Sequence, residues 1–139
     1  MTAAWQPALH REAQQMAGLL AHRPPIDAEI VIAIALREFG VDRNDLISIR
    51  RPAHLVKARA FVVWALRTLG RARSYPEIAC ILSAGRPQDA RDHSGVINLH
   101  QKAIALRLGD NHFADACRRL AHHYADTTTP CAAPRRTLP

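Results

Sequence analysis

The spacing of its apolar residues leaves this chain one class of fold. Wherever the pattern is regular it has the period of a helix, and nowhere does it alternate as a strand does. Leu55, Ala58, Val62, Ala65, Leu66 and Leu69 fall on one side of a helical wheel, which predicts a helix over 53–69 with a single core stripe. Arg59 lies beside that stripe and Trp64 nearly opposite it. Ile30, Val31, Ile34, Ala35 and Phe39 recur at i, i+3 and i+4 over 27–39, with Asp27 placed to cap the start and Gly40 to stop the end. A further helix is predicted over 3–22, with Trp5, Leu9, Met16, Leu19 and Leu20 as its apolar members and Pro24-Pro25 ending it. A short helical turn covers 42–47, and Arg50-Arg51-Pro52 is a loop.

Ser74-Tyr75-Pro76-Glu77 reads as a helix start, with Ser74 as cap, Pro76 in the first turn and Glu77 completing an S-x-x-E box. A short helix, 75–82, follows. Residues 83–91 are a loop by composition. Asp92 can cap a helix over 93–108 that Gly109 stops. Asp110 or Asn111 caps the last helix, whose core set is Phe113, Ala116, Cys117, Leu120 and Tyr124. The expected architecture is an all-α, compact helical domain containing a helix-turn-helix. Residues 1–25 are expected to pack on or extend that domain, 26–126 to form it, and 127–139 to be a disordered tail.

The 139 residues suit one domain and are too few for a TIM barrel. No apolar run approaches the roughly 20 residues that span a bilayer. His10, Arg11, Glu12, Gln14 and Gln15 interrupt what would be the apolar core of a signal peptide. Three cysteines, Cys80, Cys117 and Cys131, are an odd number, which fits a reducing cytoplasm better than a disulfide scaffold. Cys80 and Cys117 occupy apolar helix positions and are expected to pack as small hydrophobes.

The net charge is +7, and its excess sits in the middle of the chain. Residues 50–107 hold eleven basic groups against the three acids Glu77, Asp89 and Asp92. A concentrated positive field favours a polyanion, either nucleic acid or an anionic membrane, although a solubilising surface gives the same count. Arginine outnumbers lysine 17 to 2, which suits forked contacts to phosphate or guanine and equally follows from GC-rich coding. No aromatic platform accompanies the basic residues, which disfavours single-strand recognition.

On the helix predicted over 93–108, Ser94, Gly95, Asn98, Gln101 and Lys102 share one sector. Val96, Leu99, Ala103 and Leu106 flank it on one side, and Ile97, Ile104 and Leu108 on the other. That suits a helix seated in a core and presenting a narrow polar face. A face that is only solvated more often carries Glu and Lys. Short hydroxyls and amides can meet base edges, and Gly95 removes a side chain where a DNA backbone could pass. Asp92, His93 and Ser94 are triad residue types, yet neighbours on a helix point apart and cannot relay a proton in line. His112, His122 and His123 lack metal-ligand spacing and read as surface histidines, so no metal, no cofactor and no enzymatic activity are expected. There is no G-x-x-x-x-G-K-[ST] phosphate loop.

Residues 26–107 resemble the C-terminal DNA-binding domain, domain IV, of the bacterial replication initiator DnaA. The resemblance runs from Ile26-Asp27 through Phe39-Gly40-Val41, Asp45-Leu46-Ile47-Ser48, Arg50-Arg51, Lys57-Ala58-Arg59 and Ser74-Tyr75-Pro76-Glu77-Ile78. It is sharpest at Arg91-Asp92-His93-Ser94, followed by Val96-Ile97 and Lys102, where the family signature reads R-D-H-T-T-V. The resemblance implies an all-helical fold related to that of the tryptophan repressor. It also implies that an arginine matching Arg50 or Arg51 enters the minor groove and that Arg59 is a major-groove arginine. Asp92, His93 and Ser94 would then match the base-reading triplet, and Lys102 a basic residue nearer the backbone. The chain departs from the family in three places. Gly95 replaces the second threonine, Ala60 replaces a glutamine, and the loop before Arg91 is longer.

The expected function is sequence-specific binding of double-stranded DNA, regulating replication initiation or transcription, by a cytoplasmic, nucleoid-associated protein without the ATPase module. Arg50, Arg51, Arg59, Arg67 and Lys102 would contact phosphate, Asp92, His93, Ser94 and Asn98 would discriminate bases, and Arg91 belongs to the same DNA-binding set. The alternative is an adaptor of the same fold, with a protein partner or a homodimer through the N-terminal helix and Trp64. Cover of Trp64 by the N-terminal helix is the competing expectation for that residue.

Overall fold

The computed structural model describes residues 23–48, 51–83 and 93–127. The expected helix over 3–22 and the tail beyond Thr127 lie outside them. Six helices make up the described residues, with no strand among them. In chain order they are α1 (Ala28–Phe39), α2 (Arg43–Leu46), α3 (Ala53–Thr68), α4 (Tyr75–Leu82), α5 (His93–Gly109) and α6 (Asn111–Thr127).

Local chemistry sets most of their ends. Asp27 accepts from the Glu29 amide at 2.8 Å to open α1, and Gly40 closes it in the left-handed region at φ 63°. Asp42 caps α2 through the Asn44 amide at 3.0 Å. Ser74 Oγ accepts from Glu77 N at 3.2 Å to start α4. Glu77 sends its carboxylate back to Arg73, at 2.7 Å, where the S-x-x-E box led one to expect the Ser74 amide. Asp110, rather than Asn111, caps α6 by accepting from the Phe113 amide at 3.0 Å.

α3 is the axis of the domain, with α1, α5 and α6 packed along it and α2 and α4 at its flanks. From Ala58 to Leu66 it is buried all round. Besides the expected stripe, Ala60, Phe61, Val63 and Trp64 are out of solvent. The single core stripe is thus a correction: a helix ringed by neighbours needs apolar residues on every side. Phe39, Phe61 and Phe113 join α1, α3 and α6, with ring centroids 5.4 to 6.1 Å apart. α6 buries its expected set together with Ala121. On α1 the buried face is Val31, Ile32 and Ala35, and Ile30 stands exposed. Cys117 is buried as expected, whereas Cys80 is exposed and is not a core residue.

The N-terminal end of the described chain is stapled to the far end of α3. Ile26 N donates to Leu69 O at 3.3 Å, and Arg71 N to Arg23 O at 2.9 Å. Gly70 has φ 76°, and a Cβ there would strike the Pro24 carbonyl and the Tyr124 hydroxyl, which are themselves hydrogen-bonded.

Candidate nucleic-acid interface

α5 is rotated so that Val96 and Ala103 are buried, with Leu99 and Leu106 packed against the core. That rotation turns Ser94, Gly95, Asn98, Gln101 and Lys102 outward, and all five are exposed. Nothing lies within 4 Å of the position a Gly95 Cβ would take. The polar face is therefore open along its length. The second apolar flank is not seated: Ile104 is 47 % exposed and Leu108 50 %. The presented surface is thus wider than the narrow strip expected, because the core wraps α5 on one side only. Gln101 joins Ser94 and Asn98 on this surface, a residue that the wheel located but the expected base-reading set left out.

Two contacts fix the direction of α5 along α3. Near the start of α3, Lys57 Nζ lies 2.5 Å from Asp110 Oδ2, just past the end of α5. Past the other end of α3, Tyr75 Oη lies 3.0 Å from His100 Nδ1. The two helices run in opposite senses. Arg51, exposed just ahead of α3, and Ser94, in the first turn of α5, therefore sit toward opposite ends of it. Ala53 to Arg67 spans about 20 Å at ~1.5 Å per residue.

Tyr75 and His100 belong to a three-helix cluster. The Arg67 guanidinium carbon lies 4.2 Å from the Tyr75 ring centroid, and Arg67 Nη1 donates to the Arg73 carbonyl at 2.9 Å. Burial first, and the Arg67 charge second, hold the His100 pKa below its ordinary value. The imidazole is a neutral hydrogen-bonding partner that orients α5.

Two expected phosphate contacts are corrected by this packing. Arg67 is half-buried, its guanidinium committed to Tyr75 and Arg73. Arg59 is 2 % exposed. Its Nε donates to Leu46 O at 2.8 Å, and its Nη2 to Asp45 O at 2.9 Å and Ser48 O at 2.8 Å. A guanidinium so enclosed is committed to the chain's own carbonyls and is not presented on the surface, as the expected groove contact requires. Both corrections have one cause, the burial of α3 on every side. Trp64 is covered rather than free for a dimer contact: it is 4 % exposed, with the Arg107 guanidinium 5.1 Å from its centroid. Arg50, Arg91 and Asp92 lie outside the described residues, as does the side chain of His93, which begins α5.

No group of three or more histidine, cysteine, aspartate or glutamate residues suited to a metal ion occurs among the described residues. No helix there is long and apolar enough to cross a membrane.

Among the described residues the fold is an all-helical domain whose α5 presents short polar groups and Lys102 outward. The chain is similar over part of its length to the chromosomal replication initiator protein DnaA, consistent with the C-terminal region of that protein. The chain is 34 % identical to the protein of that name from Nitrobacter hamburgensis over 90 residues, covering 65 % of this chain and 18 % of the relative. Against the Bradyrhizobium sp. BTAi1 protein it is 33 % identical over 101 residues, 73 % of this chain and 20 % of the relative. Against that of Rhodopseudomonas palustris it is 34 % identical over 95 residues, with 68 % and 19 % covered. The chain spans about a fifth of the length of these curated relatives. No family model matches it, and no solved structure does.

Proposed function

We propose that this chain is a non-catalytic, nucleoid-associated binder of double-stranded DNA that acts in replication initiation or its regulation. α4, the connection and α5 serve as the helix-turn-helix, and α5 enters the major groove. The exposed run Ser94, Gly95, Asn98, Gln101 and Lys102, in a chain similar to the initiators, is the observation that carries this reading. Ser94 and Asn98 supply hydrogen bonds to base edges, with Gln101 beside them, and Lys102 reaches phosphate. Asp92 and His93 extend the base-reading set at the start of α5, with Arg91 next to them. Arg50 and Arg51 act at the far end of α3. The distance of about 20 Å between the two ends is close to half a turn of B-form duplex, about 17 Å, so a face in the major groove leaves Arg51 at the neighbouring minor groove.

The test is selection of bound duplexes from a random pool by the wild-type chain, then anisotropy titrations of the selected and a scrambled duplex at several salt concentrations. The selected site is expected to bind more tightly, with affinity falling steeply as salt rises. Equal affinity for both duplexes would sink sequence-specific recognition, and no binding would sink the DNA reading. The exposed Ile104 and Leu108 support a second reading, an adaptor that meets a protein across the apolar flank of α5. Loss of a partner on Ile104→Ser with duplex affinity intact would favour it.

A further inference from the structure

We propose that Arg59 is a positioning residue: its buried guanidinium clamps the end of α2 and so fixes where Arg51 meets the duplex. The proposal rests on the DNA-binding reading for its consequence, but not for the clamp. One side chain on the central helix holds three backbone carbonyls, those of Asp45, Leu46 and Ser48, at 2.8 to 2.9 Å. They lie at and just past the C-terminal end of α2, where a helix carries its negative partial charge; Asp45 O also accepts from the Ser48 amide and hydroxyl. A buried cation is tolerated where such acceptors surround it, and bonds from a charged donor are the stronger kind.

α2 has four residues, too few to persist on its own hydrogen bonds. Its terminal geometry therefore depends on the guanidinium. Downstream, Pro52 is fixed by the start of α3, where the amides of Leu55 and Val56 donate to its carbonyl at 3.0 and 3.1 Å. Arg51 sits next to that anchor and three residues beyond Ser48, so the chain between has at most about 10 Å of reach. A shift of the Ser48 anchor changes the course of the short chain that leads into Arg51. Lys57 cannot replace Arg59 in this role, because it is paired with Asp110 on the opposite flank of α3.

The test compares wild type, Arg59→Lys, Arg51→Ala and the double variant, all as the full chain. Amide hydrogen exchange is measured without DNA, and anisotropy with the duplex selected by the wild type. Lysine keeps the charge but not the fork. Arg59→Lys is expected to speed exchange at Leu46, Ile47 and Ser48 by about tenfold or more, with α6 unchanged. It should weaken duplex binding by about tenfold and lower the salt slope by about one. In the double variant the affinity should stay within about twofold of Arg51→Ala alone, since coupled residues are not additive. Leu120→Val, a core change on α6 outside the helix-turn-helix and remote from the clamp, serves as a stability control and should leave affinity unchanged. Wild-type exchange rates in Arg59→Lys overturn the clamp whatever the DNA result. Additive losses in the double variant overturn its action through Arg51. A wild-type chain that binds no duplex overturns the DNA reading and, with it, only the consequence for Arg51.

Discussion

Lys57 Nζ lies 2.5 Å from Asp110 Oδ2, joining the first half of α3 to the turn between α5 and α6. The same carboxylate caps α6 at the Phe113 amide. One side chain thus sets the start of α6 and ties the end of α5 to the central helix. The hydrogen bond from Lys57, then that from the Phe113 amide, holds its pKa below the ordinary carboxylate value. A carboxylate whose folded pKa is depressed stabilises the fold at neutral pH. That contribution begins to erode as pH falls through the unfolded value and is gone below the folded one. Denaturant melts of wild type should lose stability through this acid range, and Asp110→Asn should lose less. At neutral pH, Asp110→Ala should cost about 1–2 kcal/mol and Asp110→Asn, which keeps the cap, under about 1 kcal/mol.

His100 gives a second pH effect at a higher range. Its folded pKa is lowered, so the folded state resists the proton that the unfolded chain accepts. Stability is complete above the unfolded histidine value, about 6.5, and falls as pH drops below it. Thermal melts of wild type should show this slope in mildly acidic buffer, and His100→Gln should flatten it. Because His100 orients α5 through Tyr75, duplex affinity should fall over the same range in wild type. An identical slope in His100→Gln would remove His100 as its source.

Lys102 and Asn98 share the exposed face of α5 but are expected to fail differently when truncated. Lys102→Ala should weaken selected and scrambled duplexes alike and lower the salt slope by about one. Asn98→Ala should cost about 1–3 kcal/mol on the selected duplex and little on the scrambled one. Titration of both duplexes with both variants checks the division of labour.

Gly70 and Gly40 both have positive φ, and only one is enclosed. Gly40→Ala meets no neighbour and should cost about 1–2 kcal/mol, the price of a left-handed alanine. Gly70→Ala adds a clash with the Pro24 carbonyl and the Tyr124 hydroxyl, so its cost should be larger, about 3 kcal/mol or more. Chemical denaturation of the two variants gives the comparison directly.

Sequence alone determined the helices of the described residues, most of their ends and the polar face of α5, although Gly109, expected as its stop, belongs to the helix. Asp27, Ser74 and Asp110 cap what their positions predict, because a cap involves groups only two or three residues apart. The outward turn of Ser94, Asn98 and Lys102 follows from the helical period once Val96 and Ala103 are buried. Only the tertiary structure decided which basic residues remain for a ligand. A wheel gives directions around one helix but not how many neighbours surround it. α3 has neighbours on every side, which encloses Arg59 at the end of α2, sets Arg67 against Tyr75 and hides Trp64. α5 has them on one side, which leaves Ile104 and Leu108 in water despite an apolar pattern that reads as core. The physical reason is that desolvation depends on contacts between segments far apart in the chain, and no local spacing encodes them.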